Sequence, residues 1–287
     1  YGAMKARALN LSALSLLALQ ILLVVTGGLV RLTGSGLGCP TWPKCTADSY
    51  KPVESQPQLH AWIEFGNRLL TFALVAASIT TLFAVWKARK DLRLLALFQV
   101  LGIFGQGVLG GITVLTQLNP IPVAGHFILS IFLIAGATSL FLKRDRPLTK
   151  VSDSWLSKAH IISAFLVVLV GTIVTGSGPH AGDVKSPRFP FKVQTVAFLH
   201  GDLVIAMFGI TLALYLTAKH ISNEIRIFAL VALAQGVIGY VQFFTGVPEI
   251  LVATHMLGAA LFWIFAWRVR IRFITAEVKE LIRGSIN

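Results

Sequence analysis

The stretch Gln106–His126, QGVLGGITVLTQLNPIPVAGH, returns near the end of the chain as Gln235–His255, QGVIGYVQFFTGVPEILVATH. Both copies begin Gln-Gly-Val-x-Gly, pass through a proline-containing break and end in Val-Ala-x-His, with the same spacing from Gln to His. A self-match of this length indicates an internal duplication. We therefore expect two related halves, an N-terminal half at residues 1–147 and a C-terminal half at residues 148–287.

The composition is that of a polytopic membrane protein. Hydrophobic residues make up 55% of the 287 residues and charged residues 13%, which is about half the charged fraction of a typical soluble domain. A helix pairs its own backbone polar groups and can therefore cross lipid, given about 20 apolar residues. The predicted fold is all-α and polytopic, with eight transmembrane helices arranged as two pseudo-symmetric four-helix bundles. The predicted spans are residues 9–31, 60–86, 92–116, 122–142, 155–175, 194–218, 224–245 and 250–271.

The distribution of basic residues predicts the orientation. A net charge of +13 could indicate a nucleic-acid-binding protein, but Lys and Arg occur in short clusters between apolar runs, as membrane topology requires. We therefore exclude nucleic acid as a partner. Eighteen of the 25 Lys and Arg residues lie on the side of the N-terminus and the C-terminal tail, against seven on the opposite side. Both termini are thus predicted to be cytoplasmic, in a multi-pass protein of the plasma membrane surrounded by lipid.

Four histidines mark the candidate site. His60, His126, His200 and His255 each lie near the predicted outer end of an even-numbered span. The second and fourth helices of a bundle can face each other, so each half offers two imidazoles at a similar depth. Two opposed imidazoles across a bundle core are a typical axial pair for haem iron. A histidine in a membrane helix can instead be a hydrogen-bonded structural group, but matching positions in a duplicated chain favour ligation.

Other uses of these residue types fit less well. Zinc and copper need three or four close ligands, and no further cluster of Cys, His or carboxylate residues in the sequence completes such a set. The remaining histidines, His160, His180 and His220, have no counterpart in the repeat and are expected to be solvated. Glycines of the repeat, such as Gly110 and Gly239, leave room either for a flat macrocycle or for close helix packing.

The two halves differ at Glu64. Glu64 follows His60 by four residues and shares its helix face, and Arg68 continues that face by another turn. Glu64 is either an ion-pair partner of Arg68 or a catalytic carboxylate, and the lack of an equivalent acid in the C-terminal half favours catalysis. One half would then bind a permanent cofactor and the other would carry out chemistry. Arg31 and Arg68, near the outer face, are candidate partners of haem propionates or simply interfacial basic side chains.

The only cysteines of the chain are Cys39 and Cys45, in the first predicted outer loop. The outer compartment permits disulfides, and two thiols with no others in the chain are expected to pair. We predict a disulfide that staples the loop, with a redox-active pair as the alternative.

These motifs resemble the haem A synthase family, and the resemblance covers nearly the whole chain. The paired loop cysteines together with Glu-Phe-Gly-Asn-Arg are most similar to the actinobacterial branch. The resemblance rests on Gly27-Gly28-x-Val30-Arg31-x-Thr33-Gly34-Ser35-Gly36-x-Gly38-Cys39-Pro40-x-Trp42-Pro43-x-Cys45, on Ile63-Glu64-Phe65-Gly66-Asn67-Arg68, on His126-Phe127 and on the repeated Gln106 and Gln235.

The resemblance implies an oxidoreductase that converts the C8 methyl group of haem O into a formyl group, giving haem A for terminal oxidases. It implies that His200 and His255 ligate a resident haem b in the C-terminal half. It also implies that the N-terminal half receives haem O as the substrate, with His126 as a ligand and Glu64 important for catalysis. Haem O synthase and terminal oxidase assembly factors are the implied protein partners.

The chain departs from the family pattern at Asn67. The family commonly has Glu-x-x-His-Arg on the second span, and Asn67 stands at the position of that histidine. The second axial ligand of the substrate haem is then either His60, which would join Glu64 and His126 in the catalytic set, or it is absent and leaves an open position beside Asn67.

Two other functions explain parts of the pattern. A dihaem b-type membrane protein for electron transfer would use the same four histidines, but it leaves Glu64 and the two cysteines unexplained. A transporter built on the repeat would need polar, broken helices in the middle of the membrane, and these are weak here.

Overall fold

The computed structural model describes the backbone of residues 2–53, 58–144 and 154–284, and the side chains of these residues except 2–6, 58 and 275–284. The regular structure within these ranges is helical. Short 3-10 turns precede α3 and α7, at Lys90–Leu92 and Lys219–Ile221. The long helices are α1 Gly2–Leu32, α2 Gln58–Ala88, α3 Arg93–Leu115, α4 Pro120–Lys143, α5 Trp155–Ser177, α6 Val193–Thr217, α7 Ser222–Phe244 and α8 Glu249–Gly284.

All eight helices of the described residues are long and apolar enough to cross a membrane. The predicted all-α class and the eight spans are therefore confirmed. The helices differ clearly from the predicted spans only at the chain ends, where α1 begins at Gly2 and α8 continues to Gly284. These extensions carry Lys and Arg, which do not interrupt helical hydrogen bonds but lower the local hydropathy from which the spans were predicted.

Each half closes into a ring of four helices. In the N-terminal half α1, α2, α3 and α4 pack in sequence and α4 returns to α1; in the C-terminal half α5, α6, α7 and α8 do the same. The halves meet where α8 packs on α4 and α1, and where α4 packs on α5. The predicted boundary at residues 147 and 148 lies outside the described residues.

The break inside each copy of the repeat has the same backbone conformation. Leu118 and Val247 occupy equivalent positions and both are left-handed, with φ of 59° and 63°. Their N–H groups donate to the carbonyls of Thr113 and Gln242 at 2.8 and 2.9 Å, five residues back, as in a Schellman ending of a helix. Each copy thus ends one helix and starts the next through the same turn, so α3 and α4 keep the same register as α7 and α8.

Polar contacts at the end of the bundle opposite the two termini, which is the predicted outer end, join the two halves. Arg31, at the end of α1, donates through Nη2 to the carbonyl of Thr175 at 2.8 Å and through Nε to the carbonyl of His180. His180 in turn places Nε2 at 2.9 Å from the carbonyl of Val247 in the turn between α7 and α8. Arg31 therefore anchors the loop after α5, and the propionate contact predicted for it stays a prediction.

Two tryptophans of α8 join the halves deeper in the membrane. Trp263 is buried and donates through its indole N–H to the carbonyl of Ile131 on α4 at 2.8 Å. Trp267 donates to Oγ of Ser139 on the same helix at 2.7 Å. Because a buried indole N–H without an acceptor is costly, these bonds fix which face of α8 meets α4.

We expect Trp263→Phe to lower the melting temperature of the detergent-solubilised protein by a few degrees. The change removes the bond to Ile131 and part of a buried ring, which costs at least about 1 kcal/mol. Trp155→Phe is the matched control, because Trp155 is 77% exposed at the start of α5. Equal melting temperatures for the two variants would contradict the anchoring role of Trp263.

Candidate functional site

Gly110 and Gly239 each lie against a histidine ring. A Cβ atom on Gly110 would be 3.2 Å from Cε1 of His126, and one on Gly239 would be 3.3 Å from Cε1 of His255. The last glycine of Gln-Gly-Val-x-Gly, on α3 or α7, therefore makes room for the histidine that ends the same copy on α4 or α8. The repeat encodes a glycine–histidine contact between neighbouring helices.

The glutamine that begins the repeat ties the same helices together. Gln106 donates through Nε2 to the carbonyl of His126 at 3.0 Å and to Oγ of Ser130 at 2.7 Å. The side chain of Gln235 lies directly against Gly258 of α8, because a Cβ atom on Gly258 would overlap the carboxamide of Gln235. In both halves, then, the glutamine holds the histidine-bearing helix at close range.

His200 repeats this arrangement between α5 and α6. A Cβ atom on Gly171 would be 3.3 Å from Cε1 of His200. Both predicted ligands of the C-terminal half are thus backed by a glycine of the preceding helix.

The corresponding position between α1 and α2 belongs to Asn67. A Cβ atom on Gly27 of α1 would be 4.0 Å from Nδ2 of Asn67. Thr26 donates through its hydroxyl to Oδ1 of Asn67 at 2.7 Å. In each of the helix pairs α1–α2, α3–α4, α5–α6 and α7–α8, a glycine of the first helix faces a polar side chain of the second. The pair α1–α2 differs because the side chain is a carboxamide and not an imidazole.

His60 makes its contacts with the first outer loop. Its Nδ1 lies 2.9 Å from Oγ of Ser35, which is fully buried. Its backbone carbonyl packs against Gly38, where a Cβ atom would be 2.5 Å from the carbonyl oxygen. His60 precedes Asn67 by seven residues, about 10 Å along the helix axis, so it joins the loop to the beginning of α2.

The histidine environments fit a haem better than a free metal ion. Nδ1 of His126, His200 and His255 is buried without a well-formed hydrogen bond, although the carbonyl of Val167 lies near His200. No group of three His, Cys, Asp or Glu side chains able to hold a metal ion occurs among the described residues. A porphyrin needs at most two such rings, because it supplies the other four ligands itself.

Glu64 and Arg68 hold the disulfide loop, residues 39–45. Glu64 is 5% exposed; its Oε2 accepts the N–H of Cys39 at 2.6 Å and its Oε1 pairs with Nη2 of Arg68 at 2.6 Å. Arg68 also donates to the carbonyls of Cys39, Thr41 and Lys44. Of the two interpretations of Glu64, these contacts are those of the ion pair. Each nitrogen of Arg68 already has a protein acceptor, and its propionate contact stays a prediction.

The disulfide loop covers the outer end of the N-terminal half. Cys39 and Cys45 form the predicted disulfide, and both are fully buried. The indole of Trp42 lies on Gly111 of α3, where a Cβ atom would be 2.4 Å from Cδ2. Since Gly111 follows Gly110, which backs His126, the loop reaches from Glu64 on α2 across to the helix beside the His126 ring.

Two of the other histidines are not solvated, contrary to the prediction. His160 is fully buried, its ring nitrogens have no hydrogen-bond partner, and its ring packs edge-on against Phe228 at 4.7 Å between centroids. The prediction is wrong because α5 begins at Trp155, so His160 already lies more than a turn inside the packed bundle. His180 is half-buried through its bond to Val247, whereas His220 is exposed as predicted.

Three residues of the site were not singled out from the sequence. Gly171 backs His200, Thr26 holds Asn67, and Trp42 seats the loop on α3. Trp42 stands in the cysteine motif, but its spacing does not show that it reaches another helix. No local signal marks Gly171 or Thr26, because which helix faces meet is decided by packing.

A profile of the cytochrome oxidase assembly protein family, COX15-CtaA, matches residues 11–183, more than half of the chain. The chain belongs to this family. The matched range holds the disulfide loop, Glu64, Asn67 and His126, while His200 and His255 lie beyond it.

Relatives of the chain within the cytochrome oxidase assembly family include proteins named haem A synthase. The one from Shewanella oneidensis is 30% identical over 175 residues, covering 56% of this chain and 53% of the relative. That from Exiguobacterium sibiricum is 26% identical over 222 residues, covering 71% and 73%. That from Ruegeria sp. is 24% identical over 351 aligned positions, covering 94% and 89%. The chain thus spans about half the length of several of the relatives that it matches. The actinobacterial assignment stays a prediction.

We expect Glu64→Ala to expose the buried disulfide. The change removes the acceptor for Cys39 N–H and the partner of Arg68, which costs about 1.5–3 kcal/mol of loop closure. The disulfide in the folded protein should then be reduced by a soluble reductant roughly tenfold faster or more, as measured by alkylation of the freed thiols.

Glu249→Ala is the matched control for this experiment, because it removes the same charge from an exposed residue at the outer end of α8. Glu64→Gln, which keeps an acceptor for Cys39, should fall between wild type and Glu64→Ala. A reduction rate in Glu64→Ala equal to that of the wild type would mean that Glu64 does not hold the loop.

Proposed function

We propose that this protein is a haem A synthase, an oxidoreductase that converts the C8 methyl group of haem O into the formyl group of haem A. The observation that carries the proposal is the set of three imidazoles, each backed by a glycine of the preceding helix. Relatives named haem A synthase support the choice of reaction. Haem iron, when bound, supplies the redox chemistry in both halves.

The C-terminal half is the proposed site of a resident haem b. His200 and His255 are both held against the backbone of the preceding helix by a glycine, which supports their use as the two protein ligands of one haem. Two imidazoles held in this way favour a tightly bound, permanent cofactor. Burial among apolar helices supports retention, because a porphyrin is mostly apolar.

The N-terminal half is the proposed site of the substrate, haem O, with His126 as its protein ligand. The disulfide loop covers the outer end of this half and is held by Glu64 and Arg68. Such a cover limits the access of water and holds the reacting edge of a substrate in one place. We therefore assign Glu64 a positioning role that acts through the loop, in place of direct contact with the substrate.

The proposed location is the plasma membrane, with both termini in the cytoplasm. The excess of Lys and Arg on that side supports the orientation, and the disulfide on the opposite side suits an oxidising compartment. The proposed partners are lipid, haem O and haem A. They also include the proteins that supply and receive these haems, namely haem O synthase and terminal oxidase assembly factors.

We expect His200→Ala and His255→Ala each to lose the resident haem b, because one axial ligand is removed. His126→Ala should keep haem b but form no haem A. The measurement is extraction and chromatography of the haems from protein purified from cells that supply haem O. The control is His220→Ala, at an exposed position, which should contain the pigments of the wild type.

Full haem b content in both His200→Ala and His255→Ala would contradict the resident site. Wild-type protein that contains two molecules of haem b and never haem A would contradict the synthase and favour the electron-transfer alternative.

We expect Gly239→Val to reduce the retained haem b several-fold, because the added side chain meets His255 at about 3.3 Å. Gly236→Val is the matched control one turn earlier on α7, since no atom lies within 4 Å of a Cβ at Gly236. The two changes cost similar helix propensity, so only displacement of His255 distinguishes them. Equal haem content in the two variants would show that the glycine–histidine contact does not support the site.

A further inference from the structure

The N-terminal half offers one imidazole where the C-terminal half offers two. His126 corresponds to His255 in the repeat, and both are backed by a glycine at 3.2–3.3 Å. The position that faces a glycine of the first helix in each half holds His200 in one case and Asn67 in the other. This asymmetry lies in the residues to which the proposed function assigns haem binding.

Asn67 cannot replace the missing imidazole as a strong ligand. Its carboxamide is neutral and has a weakly basic oxygen, and its nitrogen has no free lone pair for a metal. One end of the carboxamide is held by the hydroxyl of Thr26 at 2.7 Å. The carboxamide is therefore a fixed, uncharged hydrogen-bonding group beside α1.

His60 is badly placed to supply the second ligand. It lies about 10 Å further out along α2 than Asn67. Its Nδ1 is bonded to the buried Ser35, and its carbonyl is packed on Gly38. Moving the ring down to the level of Asn67 would require the first outer loop to detach from α2.

We propose that the N-terminal half holds its haem through His126 alone and that the side facing Asn67 is a binding position for a small neutral ligand of water or diatomic size. Asn67, oriented by Thr26, is the hydrogen-bonding neighbour of that ligand. The C-terminal half has no such position, because His200 and His255 occupy both sides. This inference rests on the proposed function only in requiring that the N-terminal half takes up a haem.

The test uses carbon monoxide as the probe on purified, reduced protein whose haems have been quantified. A haem with one protein ligand binds carbon monoxide readily, whereas a haem with two imidazoles does not. Wild-type protein with both halves loaded should bind about one carbon monoxide per two haems. Asn67→His should abolish this binding without lowering the haem content, because it restores the second imidazole.

Matched variants distinguish the contribution of His60 to carbon monoxide binding from that of Asn67, since both residues lie on α2. His60→Ala should bind as much carbon monoxide as the wild type. Asn67→Leu should still bind it, but with a shifted C–O stretching frequency and faster dissociation, because the hydrogen-bonding neighbour is lost. Thr26→Val should shift the stretching frequency in the same direction by a smaller amount.

The outcomes distinguish this inference from the proposed function. Wild-type protein that contains two haems and binds no carbon monoxide would overturn the inference and leave the synthase proposal standing. Carbon monoxide binding that appears only in His60→Ala would also overturn it and make His60 the second ligand. Protein that never takes up a second haem would overturn both. If Asn67→His does not fold, carbon monoxide binding to the wild type and to His60→Ala still decides whether His60 is the second ligand.

Discussion

Three imidazoles inside this bundle of apolar helices lie against a neighbouring backbone that approaches without a side chain. Gly110, Gly171 and Gly239 each provide this approach, with a histidine Cε1 at 3.2–3.3 Å from the position of the missing Cβ. The contact places each ring directly against the backbone of the preceding helix. Much of the surrounding structure maintains this approach. The left-handed turns keep the register of consecutive helices, and the glutamines that begin the repeat hold the histidine-bearing helices close.

The two halves share this scaffold but differ in what fills it. Gln99 and Phe228 occupy equivalent positions of the repeat, yet Gln20 donates to Gln99 at 2.6 Å in one half, while Phe228 packs against His160 in the other. Buried carboxamides are costly in lipid unless they are paired, and here the two carboxamides pair with each other, whereas the C-terminal half has a ring contact at the equivalent place. The disulfide loop adds to the difference, because the C-terminal half has no cysteines to form one. Duplication explains the common frame, and these differences make the interiors of the two halves chemically distinct.

The hydropathy of the chain was sufficient to predict the helices, because an apolar segment of about 20 residues has almost no alternative to a helix in lipid. The repeat was sufficient to identify His126 and His255 as equivalent positions of the two halves. The environment of Glu64 was not predictable to the same degree. Its spacing to Arg68 allowed an ion pair, but the hydrogen bond to Cys39 depends on where a loop 25 residues away folds back. His160 was misjudged for a related reason, since depth within a bundle depends on neighbours from distant segments.

The sequence alone determined that the chain crosses the membrane as helices, that it carries an internal repeat, and that histidines stand at repeated positions. These features follow from hydrophobic length and from self-similarity, which are properties of the chain itself. Only the tertiary structure decided that Asn67, and not His60, takes the place that His200 holds in the other half. It likewise decided that Glu64 and Arg68 fasten the disulfide loop to α2. Both depend on which helix faces meet and on how close the backbones come, and these distances are set by packing among residues far apart in the chain.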